Sequence, residues 1–173
     1  MIVLYIILGI IVLLLLAGLV ISKDMNVKRE IVINKPSSEV FNYVKYLKNQ
    51  DNYSKWAAMD PDMKKEFRGT DGQPGFVSAW EGNKKVGKGE QEIKAVSDGR
   101  IDTELRFEKP FKSIAQARMT TEPADGGSTK VTWGFESKMA YPMNIMKLFM
   151  NMDKAIGNDF STGLNNLKAL LEK

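Results

Sequence analysis

Three pairs of carboxylates stand two residues apart in this chain: Asp60 and Asp62 around Pro61, Glu90 and Glu92, and Asp102 and Glu104. Two carboxylates held close can split their pKa values and pass a proton. Asp60-Pro61-Asp62, however, is turn chemistry, where aspartate serves local hydrogen bonding. The other two pairs alternate along strand-like segments, which points both members to water. Tyr43, Tyr46 and Tyr141 could donate protons but have no base beside them in the pattern. The 173 residues include no His and no Cys. That excludes Ser-His-Asp and Cys-His catalysis, His- or thiolate-ligated metals, iron–sulfur clusters and disulfides. Gly87-Lys88-Gly89 lacks the spacing of a phosphate-binding loop, and a hairpin is the wrong setting for one. The sequence assigns no catalytic residue, no metal ligand and no cofactor.

What remains is recognition by apolar area. Trp56, Phe76, Trp80, Phe107, Trp133 and Phe135 fall mostly on one side of their strand-like segments, and Phe160 lies on the apolar stripe of the last helix. Such a set can clasp an apolar or planar ligand by burial and stacking. The same set can also be plain core filling, and only an enclosed void separates the two readings. Met139, Met143, Met146 and Met150 recur at helical spacing. Methionine adapts to irregular shapes, so Met143 and Met146 could form a gate to the pocket, although such a stripe more often simply packs. A packed face or a surface lying on a bilayer are the alternatives. Lys65, Ser78, Gln91 and Thr103 interrupt apolar faces and could orient a ligand headgroup. The expected ligand set is therefore Trp56, Phe76, Trp80, Thr103, Phe107, Trp133, Phe135, Met143, Met146 and Phe160.

The elements that must carry these residues follow from periodicity. Val27 to Asn34 alternates as a strand. Pro36-Ser37-Ser38-Glu39 opens a helix over Val40, Phe41, Val44 and Leu47, and a second short helical turn covers Asn49 to Trp56. Strands are expected over 63–69, 76–81, 90–96, 101–108, 112–122 and 129–138, separated by Gly, Asn, Asp and Pro turns. Residues 143–152 look helical. From Ala155 to Leu171, Ile156, Phe160, Leu164, Leu167 and Leu171 repeat at steps of three and four, which is an amphipathic helix. Strands joined by short turns imply an antiparallel sheet, against which the last helix must bury its stripe.

The amino-terminal segment is of another kind. Ile2 to Ile21 contains no charged side chain, and all 25 Lys/Arg and 21 Asp/Glu follow it. Twenty residues at about 1.5 Å each make a helix of about 30 Å, the thickness of a bilayer core. No basic residue precedes the run and no small-residue cleavage site follows it, so residues 1–21 are expected to be a retained single-pass anchor and not a signal peptide. Residues 22–26 would then be a juxtamembrane linker and residues 27–173 the folded domain. Lys23, Lys28, Arg29 and Lys35 crowd the carboxyl flank, which places the domain on the cytoplasmic side. The net charge of +4 is spread among mixed neighbours. A nucleic-acid partner is therefore not expected, and the sequence leaves a protein partner open.

The succession EIVINKPSSEVFNYV, YSKWAAMDP, the Trp80–Asn83 hairpin, GSTKVTWGF and GNDFSTGLNNLKALLEK resembles the polyketide cyclase/dehydrase members of the START-like (SRPBCC, helix-grip) superfamily, over about residues 27–172. The resemblance implies an α+β, Bet v 1-like fold: a curved antiparallel sheet of about seven strands around a long carboxyl-terminal helix, with an apolar cavity between them. It supplies no reaction, because superfamily members share a fold and not a catalytic set. The function it implies is binding of a hydrophobic small molecule or lipid beside the membrane, with a cyclase- or dehydratase-like enzyme as the alternative.

Overall fold

The computed structural model describes all 173 residues. An apolar helix α1 (Ile2–Val20) leads into strand β1 (Asp24–Ile33), helix α2 (Ser37–Val44), a 3-10 turn (Leu47–Asn52) and the short helix α3 (Lys55–Met59). Six strands follow: β2 (Lys64–Arg68), β3 (Val77–Glu81), β4 (Lys88–Ser97), β5 (Arg100–Lys109), β6 (Ser113–Ala124) and β7 (Ser128–Lys138). A 3-10 segment (Met143–Leu148) then precedes the long helix α4 (Met152–Leu171).

The seven strands form one antiparallel sheet in the order β1-β7-β6-β5-β4-β3-β2. β5 shows why the faces separate. Ile101 and Thr103 are buried on one side, while Arg106 on the other side joins Glu90, Glu92 and Glu104 in a charged cluster. Helix α4 lies across the inner face, chiefly over β1, and buries Phe160, Leu164 and Leu167. Ile33, Val40 and Val131 meet this stripe and are almost completely excluded from water. Each such aliphatic side chain contributes about 1.5–3 kcal/mol by burial. Asn151 caps α4, its Oδ1 accepting from the Lys154 N–H at 2.8 Å. Arg29 crosses the first turns of α4 and holds both carboxylate oxygens of Asp153 at 2.9–3.1 Å. Gly157 makes that passage possible, since a Cβ there would lie 2.0 Å from the guanidinium.

Three expectations are corrected. β1 begins at Asp24, paired with Lys138, so Asp24, Met25 and Asn26 are strand, and the 22–26 linker shrinks to Ser22 and Lys23. The extra β7 partners at this edge extend the ladder beyond what alternation alone reveals. Residues 143–152 do not form one helix: a 3-10 segment ends at Leu148 and α4 starts at Met152. β3 begins at Val77, so the buried Phe76 precedes the strand, where it stacks on Phe67 at 6.0 Å beside the β2–β3 turn.

Candidate ligand cavity

Between the β2–β5 half of the sheet and α4 lies a cavity of about 320 Å³, near the lower end of the ~300–1,000 Å³ usual for ligand sites. The sheet supplies Lys65, Ser78, Trp80, Gln91, Leu105, Phe107, Ala117, Trp133 and Phe135; α4 supplies Ile156 and Phe160. The fourth side is a flap of residues 47–59, contributing Leu47, Gln50, Asp51, Ser54, Trp56 and Ala57. Met63 and Val86 complete the wall.

The flap stays in place through its polar groups. The Asp71 carboxylate accepts from the Leu47 and Lys48 N–H groups at 2.8 and 3.1 Å. Asn166 of α4 donates to the Tyr53 carbonyl at 3.1 Å, and Lys55 pairs with Asp159 of α4. Tyr53 is buried behind the cavity, and burial pushes its phenol well above the ordinary tyrosine range. It therefore stays protonated and packs as a neutral wedge against Trp133, ring centres 5.9 Å apart.

The aromatic wall is built from mutual contacts. Trp133 and Phe160 stack at 4.6 Å with planes 4° apart. Trp56 and Phe135 meet the Phe160 ring edge-on at 5.8 and 6.3 Å. Trp80 meets Phe107 edge-on at 5.8 Å. Its indole lies over Gly89, where a Cβ would come within 2.8 Å of the ring. Rigid rings braced against one another cannot collapse inward as flexible aliphatics do, and the space beside them stays open.

Of the expected ligand set, Trp56, Trp80, Phe107, Trp133, Phe135 and Phe160 line this cavity and four residues do not. Phe76 lies past its end. Thr103 is buried behind the wall, where its hydroxyl accepts from Gln91 Nε2 at 3.0 Å and so orients a lining amide. Met143 and Met146 belong to the 3-10 segment packed beside α1 and lie outside the cavity lining. Gln50, Asp51 and Ser54 of the flap escaped sequence reading because they sit in a short irregular stretch without periodicity.

Lys65 and Asp51 are the ionisable side chains on the wall, and they pair with each other at 2.5 Å. Ser78, Gln50 and Gln91 add neutral hydrogen-bonding groups. Asp60, one of the carboxylates with catalytic spacing, instead accepts from the Asn83 N–H at 2.6 Å and ties the β3–β4 turn. The arrangement can hold an apolar body and orient one polar end.

Residues 24–172 match the family described as polyketide cyclase/dehydrase and lipid transport. Among solved structures, the chain is similar to a hypothetical protein, jhp0584, from Helicobacter pylori, with 14% identity over 84% of this chain and 87% of that one and a TM-score of 0.63. It is similar to the protein TTHA0849 from Thermus thermophilus at 16% identity, over 85% and 97% of the two chains, with a TM-score of 0.62. Similarity to Ara h 8.0201 amounts to 13% identity, 86% and 97% coverage and a TM-score of 0.57. No curated protein matches the chain. At these identities the structures establish the helix-grip, Bet v 1-like fold.

Proposed function

The chain belongs to the polyketide cyclase/dehydrase and lipid transport family, and on that premise we propose that it is a membrane-anchored binding protein for a hydrophobic small molecule or lipid. The observation that carries this reading is an aromatic cavity between sheet and α4 whose paired Lys65 and Asp51 leave no free acid or base on the wall. Burying a mid-sized apolar ligand at about 25 cal/mol per Å² supplies several kcal/mol before ordering costs, without any reaction. A cyclase or dehydratase needs a proton-transfer group at the substrate, and this wall supports binding over chemistry.

Helix α1 is long and apolar enough to cross a membrane, with a mean hydropathy of 3.2. In this proposal residues 1–21 stay attached as a single-pass anchor, the folded domain follows on the cytoplasmic side, and the ligand comes from the adjoining bilayer. All three tryptophans, Trp56, Trp80 and Trp133, line the cavity, so intrinsic fluorescence reports occupancy directly. Titration of the full chain in nanodiscs with fatty acids, quinones and polyketides should give a saturable change for one class. Native mass spectrometry of the same sample should find that class retained. A flat titration across all three classes, with only bare protein in the spectrum, would end this reading.

A further inference from the structure

The anchor does not hang from the domain on a loose tether. Gly18 is the buried residue of α1, and it sits against Ile145 and Tyr141. Asn144 is fully buried, and its Nδ2 donates to the carbonyls of Gly18 and Ile21 at 2.7 and 2.9 Å. Lys147 donates to the Ser22 carbonyl at 2.8 Å and to that of Asp24. The 3-10 segment thus satisfies the Gly18 carbonyl in the last turn of α1 and the carbonyls of Ile21, Ser22 and Asp24 just beyond it, and clamps the helix to the domain. Only Ile21, Ser22 and Lys23 separate α1 from β1, and three residues reach at most about 10 Å.

Strand register tells which part of the domain is held that close. Asp24 pairs with Lys138, Phe107 with Ser113, Lys88 with Lys109, and Glu81 with both Lys88 and Lys64. The β3–β4 turn, the β5–β6 turn and the segment after β7 therefore gather at the anchor end of the sheet. They leave large apolar side chains in solvent: Phe111 is 64% exposed, Ile114 59%, Leu148 54% and Phe149 71%. Around them Lys23, Lys84, Lys85, Lys112 and Lys138 are exposed and have no carboxylate partner. Of the acids at this end, Glu81 and Glu108 pair with Lys88 and Lys109 and Asp60 accepts from the Asn83 N–H, while Asp24 and Asp62 are exposed without a cation partner, so the unpaired lysines outnumber the unpaired acids around the patch. The far end carries Asp71, Asp98 and Asp125 in its turns instead.

Resting on the anchor reading above, we propose that the anchor end of the sheet docks onto an anionic bilayer. Phe111, Ile114, Leu148 and Phe149 enter the headgroup layer, and the free lysines meet lipid phosphates and carboxylates. Val86 in the β3–β4 turn, Met63 before β2 and Ile156 early in α4 border the cavity at this same end. Docking therefore turns that border of the cavity toward the lipid phase and shortens the aqueous path of a ligand.

The chain has no Cys, so single labels are unambiguous. The full chain is placed in nanodiscs of phosphatidylcholine with phosphatidylserine. Separate samples carry an environment-sensitive fluorophore on Ser113→Cys, Leu148→Cys, Asp98→Cys at the far end, or Ile11→Cys within α1. Nitroxide lipids are expected to quench labels 113 and 148 several-fold more strongly than label 98. Lys84→Glu/Lys85→Glu/Lys112→Glu should weaken quenching at 113 without changing it at 11. Quenching at 113 and 148 as weak as at 98, while 11 is quenched, would overturn docking and leave the anchor standing. An unquenched label at 11 would instead remove the anchor and the docking with it.

Discussion

The inner face of the sheet has two halves that solve the same problem differently. Under β1 and β7, α4 and α2 press Ile33, Val40, Val131, Leu164 and Leu167 into a region with almost no exposed atoms. Under β2 to β5, bordered by Trp133 and Phe135 of β7, the inward positions mix apolar side chains with Lys65, Ser78 and Gln91, and about 320 Å³ stays open. The filled half uses branched aliphatic side chains, which interdigitate. The hollow half uses planar rings that brace one another edge to face and place their polar neighbours, Gln91 and Ser78, along the gap. Packing density is therefore a matter of side-chain shape as well as hydrophobicity.

The sharpest break in this comparison comes from the filled half. Leu164→Ala removes a fully enclosed side chain where neighbours have no slack, and should cost about 2–5 kcal/mol. Chemical denaturation would show it as a lowered midpoint, and no added hydrophobic ligand should restore it fully. A loss below about 1 kcal/mol would mean that this half is as loose as the other.

Gly89→Val tests the hollow half from behind. The new side chain collides with the Trp80 ring and the Arg106 carbonyl, and overpacking of this kind costs about 1–3 kcal/mol. Displaced into the void, Trp80 should abolish the ligand-dependent fluorescence change while the domain still unfolds cooperatively. Retained binding would show that the ring does not border the occupied space.

The β4–β5 pair is also tied on its outer face. Arg106 reaches Glu90, Glu92 and Glu104 at 2.6–2.8 Å. Hydrogen bonds from Arg106 are the largest cause holding all three carboxyls below the ordinary glutamate value of 4.5. Their folded pKa values are depressed, so this stabilisation is present above that value and fades as pH falls through the lower folded values. Arg106→Gln should destabilise the protein at neutral pH by less than Gly89→Val does. The gap from the parent should narrow on acidification below pH 4.5, as denaturation across a pH series would show. A gap independent of pH would assign the effect to lost packing of the arginine stem.

The fold was legible because alternation and helical periodicity are long-range patterns. β5 and α4 announce their buried faces over ten and twenty residues. The same patterns give six aromatic cavity residues and the inward polar groups Lys65, Ser78 and Gln91, since an inward side chain is inward whether it fills a core or lines a gap. Thr103 and Phe76 share that inward parity, but parity does not say where along the strand the gap lies. Met143 and Met146 sit outside the cavity lining, because a spacing of three and four is also what a short 3-10 segment can show. The clamp by Asn144 is a contact between residues more than 120 apart, and no local pattern encodes it.

The smallest expected effect distinguishes the halves most finely. A filled core has no use for a charged pair, whereas a ligand site can use one to receive a headgroup. Lys65 and Asp51 pair at the cavity wall with 22% and 41% of their side chains exposed, and pairs this open contribute about 0–1 kcal/mol to stability. Lys65→Met should accordingly shift the unfolding midpoint little. It should shift ligand preference more, weakening acidic ligands relative to neutral ones of equal apolar area, because the variant removes the cation and leaves Asp51 facing the headgroup. Parallel fluorescence titrations with a fatty acid and its alcohol measure that ratio. An unchanged ratio would place the headgroup elsewhere on the wall, at Ser78 or Gln91, and reduce the ion pair to a fastener between the flap and β2.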